Sequence, residues 1–121
     1  MLLVDDESDL IEMMKEMIHH LGYQPTAFTD SRRAFGAFSD KPEAFDVAIL
    51  DMAMPGLSGV ELAEAMREIR PAMPIILCTG YKDQPVADPH LSNIFNRVLM
   101  KPLELHLLAE AIDRVLTSSP D

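Results

Sequence analysis

Disulfide scaffolding is the first thing this sequence lacks. Its single cysteine, Cys78, has no partner within the chain, and its neighbours Ile75, Ile76 and Leu77 make it a buried strand residue rather than a reactive thiol. That usage fits a reducing compartment, and a cytoplasmic location is the expectation. Positive charge is also scarce: ten Lys and Arg face twenty Asp and Glu, for a formal charge of −10. This is the wrong sign for neutralising nucleic-acid phosphates, so no direct DNA or RNA binding by this chain is expected. Long apolar runs are missing too. Stretches such as Ile75 to Cys78 fall far short of the roughly 18 residues that suggest a membrane span. No basic segment followed by an apolar one opens the chain, so neither membrane contact nor export is expected. The four histidines lack ligand spacing: His19 and His20 are adjacent on a predicted helix and point in different directions, while His90 and His106 are isolated. That argues against a zinc site, and His19 and His20 are not read as phosphotransfer histidines because nothing else in the chain suggests a helical histidine-phosphotransfer bundle.

What is present is enough for one ordinary core: 121 residues, 48% of them apolar and 25% charged. Short apolar runs alternate with helical patterns, the signature of βαβ units around a parallel sheet. Leu2 to Val4 predicts a first strand ending at Asp5 and Asp6. Leu10, Met14, Met17, Ile18 and Leu21 recur at helical spacing, and Gly22 stands where a stop belongs. Tyr23 to Thr29 predicts a strand, placed at the sheet edge because Pro25 cannot donate to a ladder. Ser31 is read as the cap of a second helix carrying Ala34, Phe35 and Phe38 inward. Val47 to Leu50 is a continuous apolar run, as expected of a strand covered on both faces, and it stops at Asp51. After the Pro55, Gly56, Gly59 loop, Leu62, Ala63, Met66 and Ile69 mark the inner side of a third helix. Ile75 to Thr79 gives a fourth strand.

Residues Lys82 to Asn96 are expected to be irregular, with Pro85 and Pro89 interrupting any long helix and Asp88-Pro89 starting a short one. Val98 to Met100 predicts a fifth strand, and Leu105, Leu108, Ile112, Val115 and Leu116 a final helix. The nine methionines, Met13, Met14 and Met17 among them, are read as core filling. The expected class is α/β, with one domain over residues 1–117 and a tail over 118–121.

Open parallel sheets bind ligands outside the carboxyl ends of their strands. Asp5 and Asp6, Asp51, Thr79 and Lys101 follow or close the first, third, fourth and fifth strands. Three carboxylates, a hydroxyl and one ammonium make a hard, oxygen-rich crevice suited to a divalent cation plus a phosphoryl group. Taken singly the residues are ordinary: Asp5 and Asp6 read as helix caps, Lys101 as a loop lysine, Thr79 as a strand-end hydroxyl. Their joint order along the chain is what points to chemistry.

The run Val4-Asp5-Asp6-Glu7, the segment Leu50-Asp51-Met52-Ala53-Met54-Pro55-Gly56 with Ser58-Gly59, then Thr79-Gly80 and Lys101-Pro102 together resemble the receiver domain of two-component response regulators. The match covers essentially the whole chain. The resemblance implies the flavodoxin-like doubly wound sheet of strand order 2-1-3-4-5, with an irregular fourth helix here. It implies Asp51 as phosphate acceptor, Asp6 and the Ala53 carbonyl as Mg²⁺ ligands together with Asp51, and Asp5 helping through water. Thr79 and Lys101 would contact the phosphoryl group, and Lys101-Pro102 would be a cis bond. The implied partner is a histidine kinase or histidine-phosphotransfer protein, which donates the phosphoryl group; the domain assists its own phosphorylation and dephosphorylation without being an enzyme in the ordinary sense.

Two features depart from the family pattern. Val98 stands where a tyrosine or phenylalanine usually reports phosphorylation, and the region of the fourth helix is proline-broken. Local similarity around Leu77 to Tyr81 and Val98 to Leu103 is to receivers of hybrid sensor kinases, so attachment to a sensor kinase or output domain in a longer protein is an expectation. Two other readings remain: a pseudo-receiver that binds partners without phosphorylation, and a phosphatase passing through an aspartyl phosphate. The first lacks its sign, a lost acceptor or acidic pair. The second wants an acid where Ala53 stands.

Overall fold

The apolar runs become strands and the amphipathic stretches become helices, and through residue 79 strands and α-helices alternate. A computed structural model describes residues 1–80, 94–101 and 103–117. In chain order the elements are β1 (Leu2–Val4), α1 (Ser8–His20), β2 (Thr26–Phe28), α2 (Ser31–Asp40), a 3-10 turn (Pro42–Ala44), β3 (Ala48–Asp51), α3 (Gly59–Ile69), β4 (Ile75–Thr79), β5 (Arg97–Met100) and α4 (Leu105–Thr117). The five strands form one parallel sheet of order β2-β1-β3-β4-β5. Strand β2 lies at the edge, with Pro25 just outside it. The short helix expected from Asp88-Pro89, the Lys101-Pro102 bond and the tail at 118–121 lie outside the described residues.

Alternation along each strand sorts the core into two layers. Leu2, Val4, Ala48, Leu50, Ile75 and Leu77 pack with Ala34 and Phe38 of α2 and Leu62, Ala63 and Met66 of α3. Leu3, Ile49, Ile76 and Cys78 pack on the other face with Ile11, Met14 and Ile18 of α1 and Leu108, Ala111, Ile112 and Val115 of α4. Because β3 and β4 are covered on both faces, their apolar runs are continuous rather than alternating. Burial pushes the Cys78 thiol up to about 12, which keeps it an unreactive thiol at neutral pH.

Several local details differ from the sequence reading. Asp30, not Ser31, caps α2, its carboxylate accepting from the backbone N–H groups of Arg32 and Arg33. The buried ridge of α1 includes Ile11, while Leu10, Met17 and Leu21 only flank it. Ile69, the last residue of α3, is 41% exposed, and Leu105 and Leu116 are also exposed on α4. Helix α1 stops as expected: Gly22 takes φ +93°, a left-handed conformation that glycine adopts without a Cβ penalty, and its N–H bonds the His19 carbonyl. Of the stretch expected to be irregular, Ile94, Phe95 and Asn96 are described, and Ile94 and Phe95 are buried in the core.

Candidate functional site

Strand register brings the acidic residues together. Val4 pairs with Leu50, so the chain leaves β1 at Asp5 directly beside Asp51 at the end of β3. Asp5, Asp6 and Asp51 each offer a carboxylate oxygen, and these oxygens lie within 4.8 Å of one another. Asp5 is 1% exposed and Asp51 5%, whereas Asp6 faces solvent. On the other side of the sheet, Lys101 is aligned by its backbone N–H, which bonds the Thr79 carbonyl at 2.9 Å. Its ammonium reaches Asp51 Oδ1 at 2.7 Å and Asp5 Oδ2 at 3.1 Å.

The electrostatics follow from this crowding. Burial, reinforced by the neighbouring charges of Asp5 and Asp6, outweighs the bond from Lys101 and pushes the Asp51 carboxyl up to about 6. Burial alone would pull Lys101 down, but its bonds to Asp51 and Asp5 outweigh that and raise it. The pair is therefore a tightly held cation between two carboxylates, with a third at its rim. Both oxygens of Asp5 are engaged, Oδ1 by the Glu7 backbone N–H at 2.9 Å and Oδ2 by Lys101. No side-chain bond to Asp6 is recorded among the described residues.

Thr79 closes β4 and is fully buried, its single hydroxyl proton within donating reach of either the Met52 thioether at 3.6 Å or the Gly80 carbonyl at 3.3 Å. Ala53 lies exposed in the bend that follows Asp51. The residues singled out in the sequence thus gather at the carboxyl edge of the sheet. The donor set, three carboxylates with an exposed oxygen-bearing bend alongside, fits a hard divalent cation that keeps water ligands.

Other residues that build the site were given no role of their own from the sequence, where Ser58 and Gly59 entered only as loop and motif residues. Gly59, the first residue of α3, lies so close to β3 that a Cβ there would sit 2.3 Å from the Asp51 carbonyl oxygen. Its N–H bonds the Met52 carbonyl at 2.9 Å. Helix α3 is pinned at this approach by a capping box in which Ser58 Oγ accepts from the Glu61 N–H and Glu61 Oε1 accepts from the Ser58 N–H. The pattern Ser58-x-x-Glu61 before Leu62 and Ala63 was the available signal for it. Arg67 and Asn96 fix the opposite ends of β4 and β5: Asn96 Oδ1 accepts from the Ile75 N–H and from Arg67, which also donates to the Ile94 and Pro71 carbonyls. No sequence signal distinguished these two from ordinary surface residues.

Comparison with known proteins agrees with this geometry. The family model described as "Response regulator receiver domain" matches residues 1–113. The response regulator receiver protein CpdR of Brucella abortus is 27% identical over 118 residues, covering 98% of this chain and 97% of that protein. The transcriptional regulatory protein FixJ of Bradyrhizobium diazoefficiens is 26% identical over 114 residues, 94% of this chain but 55% of its own length. The chain spans only 24% of the C4-dicarboxylate transport regulator DctD of Rhizobium meliloti, another relative. Among solved structures, a response regulator receiver domain protein from Clostridium thermocellum superposes with a TM-score of 0.89 at 29% identity, covering 95% of this chain and 91% of that one. A sheet in the order expected for such domains, an acidic cluster with a lysine at its carboxyl edge, and a family match over nearly the full length converge on one conclusion: the chain belongs to the response regulator receiver domain family, the phosphoacceptor signalling domains of two-component systems.

Proposed function

We propose that Asp51 is the phosphate acceptor of this domain and that its reaction depends on Mg²⁺. The observation that carries the proposal is the Asp51 carboxylate at the end of β3, 2.7 Å from the Lys101 ammonium and clustered with Asp5 and Asp6. In the reaction, a carboxylate oxygen of Asp51 forms a bond to phosphorus as the P–N bond of a phosphohistidine breaks. The bonding pair returns to the imidazole nitrogen, which takes up a proton. Lys101 balances the charge that gathers on the acceptor and the transferred group, and a fixed ammonium in a partly buried site does this with little reorganisation.

Asp6, Asp51 and the Ala53 carbonyl would hold the metal, and Asp5 would act through water, since both of its oxygens are already engaged. When bound, Mg²⁺ supplies Lewis-acid charge neutralisation between the acceptor carboxylate and the phosphoryl oxygens. Thr79 Oγ would turn from Met52 and Gly80 to donate to a phosphoryl oxygen. A histidine kinase or histidine-phosphotransfer protein is the donor this chemistry requires, and attachment to a sensor kinase or output domain belongs to the same reading. The intact acceptor, acidic pair and lysine disfavour a phosphorylation-independent module.

The test is incubation with Mg²⁺ and acetyl phosphate. One phosphoryl group should be added, labile to hydroxylamine as an acyl phosphate is, and Asp51→Asn should abolish it. A hydroxylamine-stable adduct, or unchanged labelling of the variant, overturns the assignment.

A further inference from the structure

Serine 31 opens α2 without capping it, because Asp30 performs that role. The residue is 1% exposed, and its hydroxyl is bonded to a neighbouring loop rather than to its own helix. Ser31 Oγ donates to the Pro55 carbonyl at 3.1 Å and accepts from the Leu57 N–H at 2.9 Å. Both partners belong to the irregular segment that joins β3 to α3 and carries Ala53. The ends of that segment are fixed by backbone bonds, Met52 N–H to the Cys78 carbonyl and Gly59 N–H to the Met52 carbonyl. The side-chain bonds to its middle come from Ser31. Gly56, between the two bonded residues, takes φ +80°, and a Cβ there would lie 3.3 Å from Ser31 Oγ, so the turn is pressed against the hydroxyl.

We propose that Ser31 is a positioning residue for the metal-binding loop: one hydroxyl of α2 holds the Pro55–Leu57 turn in place and thereby sets where the Ala53 carbonyl stands relative to Asp6 and Asp51. The proposal rests on the Mg²⁺-dependent reading of the site above. Ser31 touches none of the reacting atoms; it acts through the loop. Replacing it with alanine leaves a partly buried N–H and a carbonyl without their partner, and such groups drive the backbone to seek water. The loop then samples arrangements in which the Ala53 carbonyl is misplaced, and cation affinity falls while Asp51, Thr79 and Lys101, fixed by the sheet, keep their geometry.

The experiment compares the wild-type chain with Ser31→Ala and with Ser31→Cys, which keeps nearly the same volume but bonds weakly. In metal-free protein, amide hydrogen exchange at Leu57 should accelerate about tenfold in Ser31→Ala, with β3 amides unchanged. Calorimetric Mg²⁺ affinity should weaken about fivefold, the worth of one lost hydrogen bond, with Ser31→Cys between the two. The phosphorylation rate at saturating Mg²⁺ should stay within about twofold of wild type, because the acceptor itself is not displaced. Unchanged Leu57 exchange, unchanged Mg²⁺ affinity, or an equal loss of rate at saturating metal each overturns the proposal. Wild-type protein that neither binds Mg²⁺ nor takes label on Asp51 overturns the underlying functional reading instead, so the two failures are distinguishable.

Discussion

Asp51 is held between opposed influences, and their balance is readable in pH. Its carboxyl titrates at about 6 in the fold against an ordinary 3.8, so the folded protein binds that proton more tightly than the unfolded chain. Asp51 therefore adds stability below about pH 4, and this is lost as pH rises through about 6. In metal-free protein the gain in melting temperature from Asp51→Asn should grow between pH 4 and pH 7 and level off above. Thermal melts in chelator measure this, and a gain independent of pH contradicts the crowded-carboxylate account. Gly59 governs the same residue from outside the cluster. With Asp51 O only 2.3 Å from where a Cβ would stand, Gly59→Ala must push β3 and α3 apart. We expect a loss of about 1–3 kcal/mol in stability, the usual cost of overpacking, together with slower phosphorylation of Asp51. Urea unfolding and acetyl phosphate labelling of the same variant test both halves.

The helices are fixed to the sheet by a few polar contacts whose loss has predictable cost. Asp30→Ala removes the α2 cap and should destabilise by about 1 kcal/mol, whereas the same change in a solvated acid such as Glu16 should cost almost nothing. Arg67→Ala strips donors from the Ile94, Pro71 and Asn96 oxygens. The expected cost is about 1–3 kcal/mol, with faster amide exchange at Ile75 and Asn96, where β4 and β5 begin. Two residues in the C-terminal half of α3 make a further contrast. Met66→Ala, at a fully buried position, should cost about 2–5 kcal/mol, while Ile69→Ala, 41% exposed, should fall within about 0.5 kcal/mol. Helical spacing put both residues on one face. The fold separates them: Met66 is buried, and Ile69, the last residue of the helix, is not.

For the molecule as a whole, three carboxylates gathered by folding are a store of repulsion that a cation relieves. If the proposed Mg²⁺ site forms only in the folded arrangement and not among the scattered carboxylates of the unfolded chain, the metal should stabilise the domain by mass action. At a dissociation constant of about 1 mM, 10 mM metal contributes about 1.4 kcal/mol, visible as a rise in melting temperature that chelator removes. Asp6→Asn should lose most of that rise, since Asp6 is the exposed member of the cluster. A rise reproduced by matched sodium chloride would count against a specific site.

The sequence alone determined the alternation of elements, because continuous apolar runs and helical spacing reflect local geometry that each segment carries with it. It also placed Asp5, Asp51, Thr79 and Lys101 at the carboxyl ends of their strands, although the second strand, read as Tyr23 to Thr29, is only Thr26–Phe28, and the motif around Asp5, Asp6, Asp51, Thr79 and Lys101 made the family legible. Tertiary structure decided what depends on two distant segments meeting. Parallel register placed Asp5 beside Asp51 and brought Lys101 within 2.7 Å of it, and burial there pushes the Asp51 carboxyl up to about 6 in spite of the bond from Lys101. Packing decided that Ser31 serves a loop some two dozen residues away rather than its own helix, and that Gly59 must lack a side chain because β3 passes behind it. A hydroxyl or a glycine carries no mark of its future neighbour in the local pattern; the close approach that gives each its role exists only once the sheet is closed and the helices are laid across it.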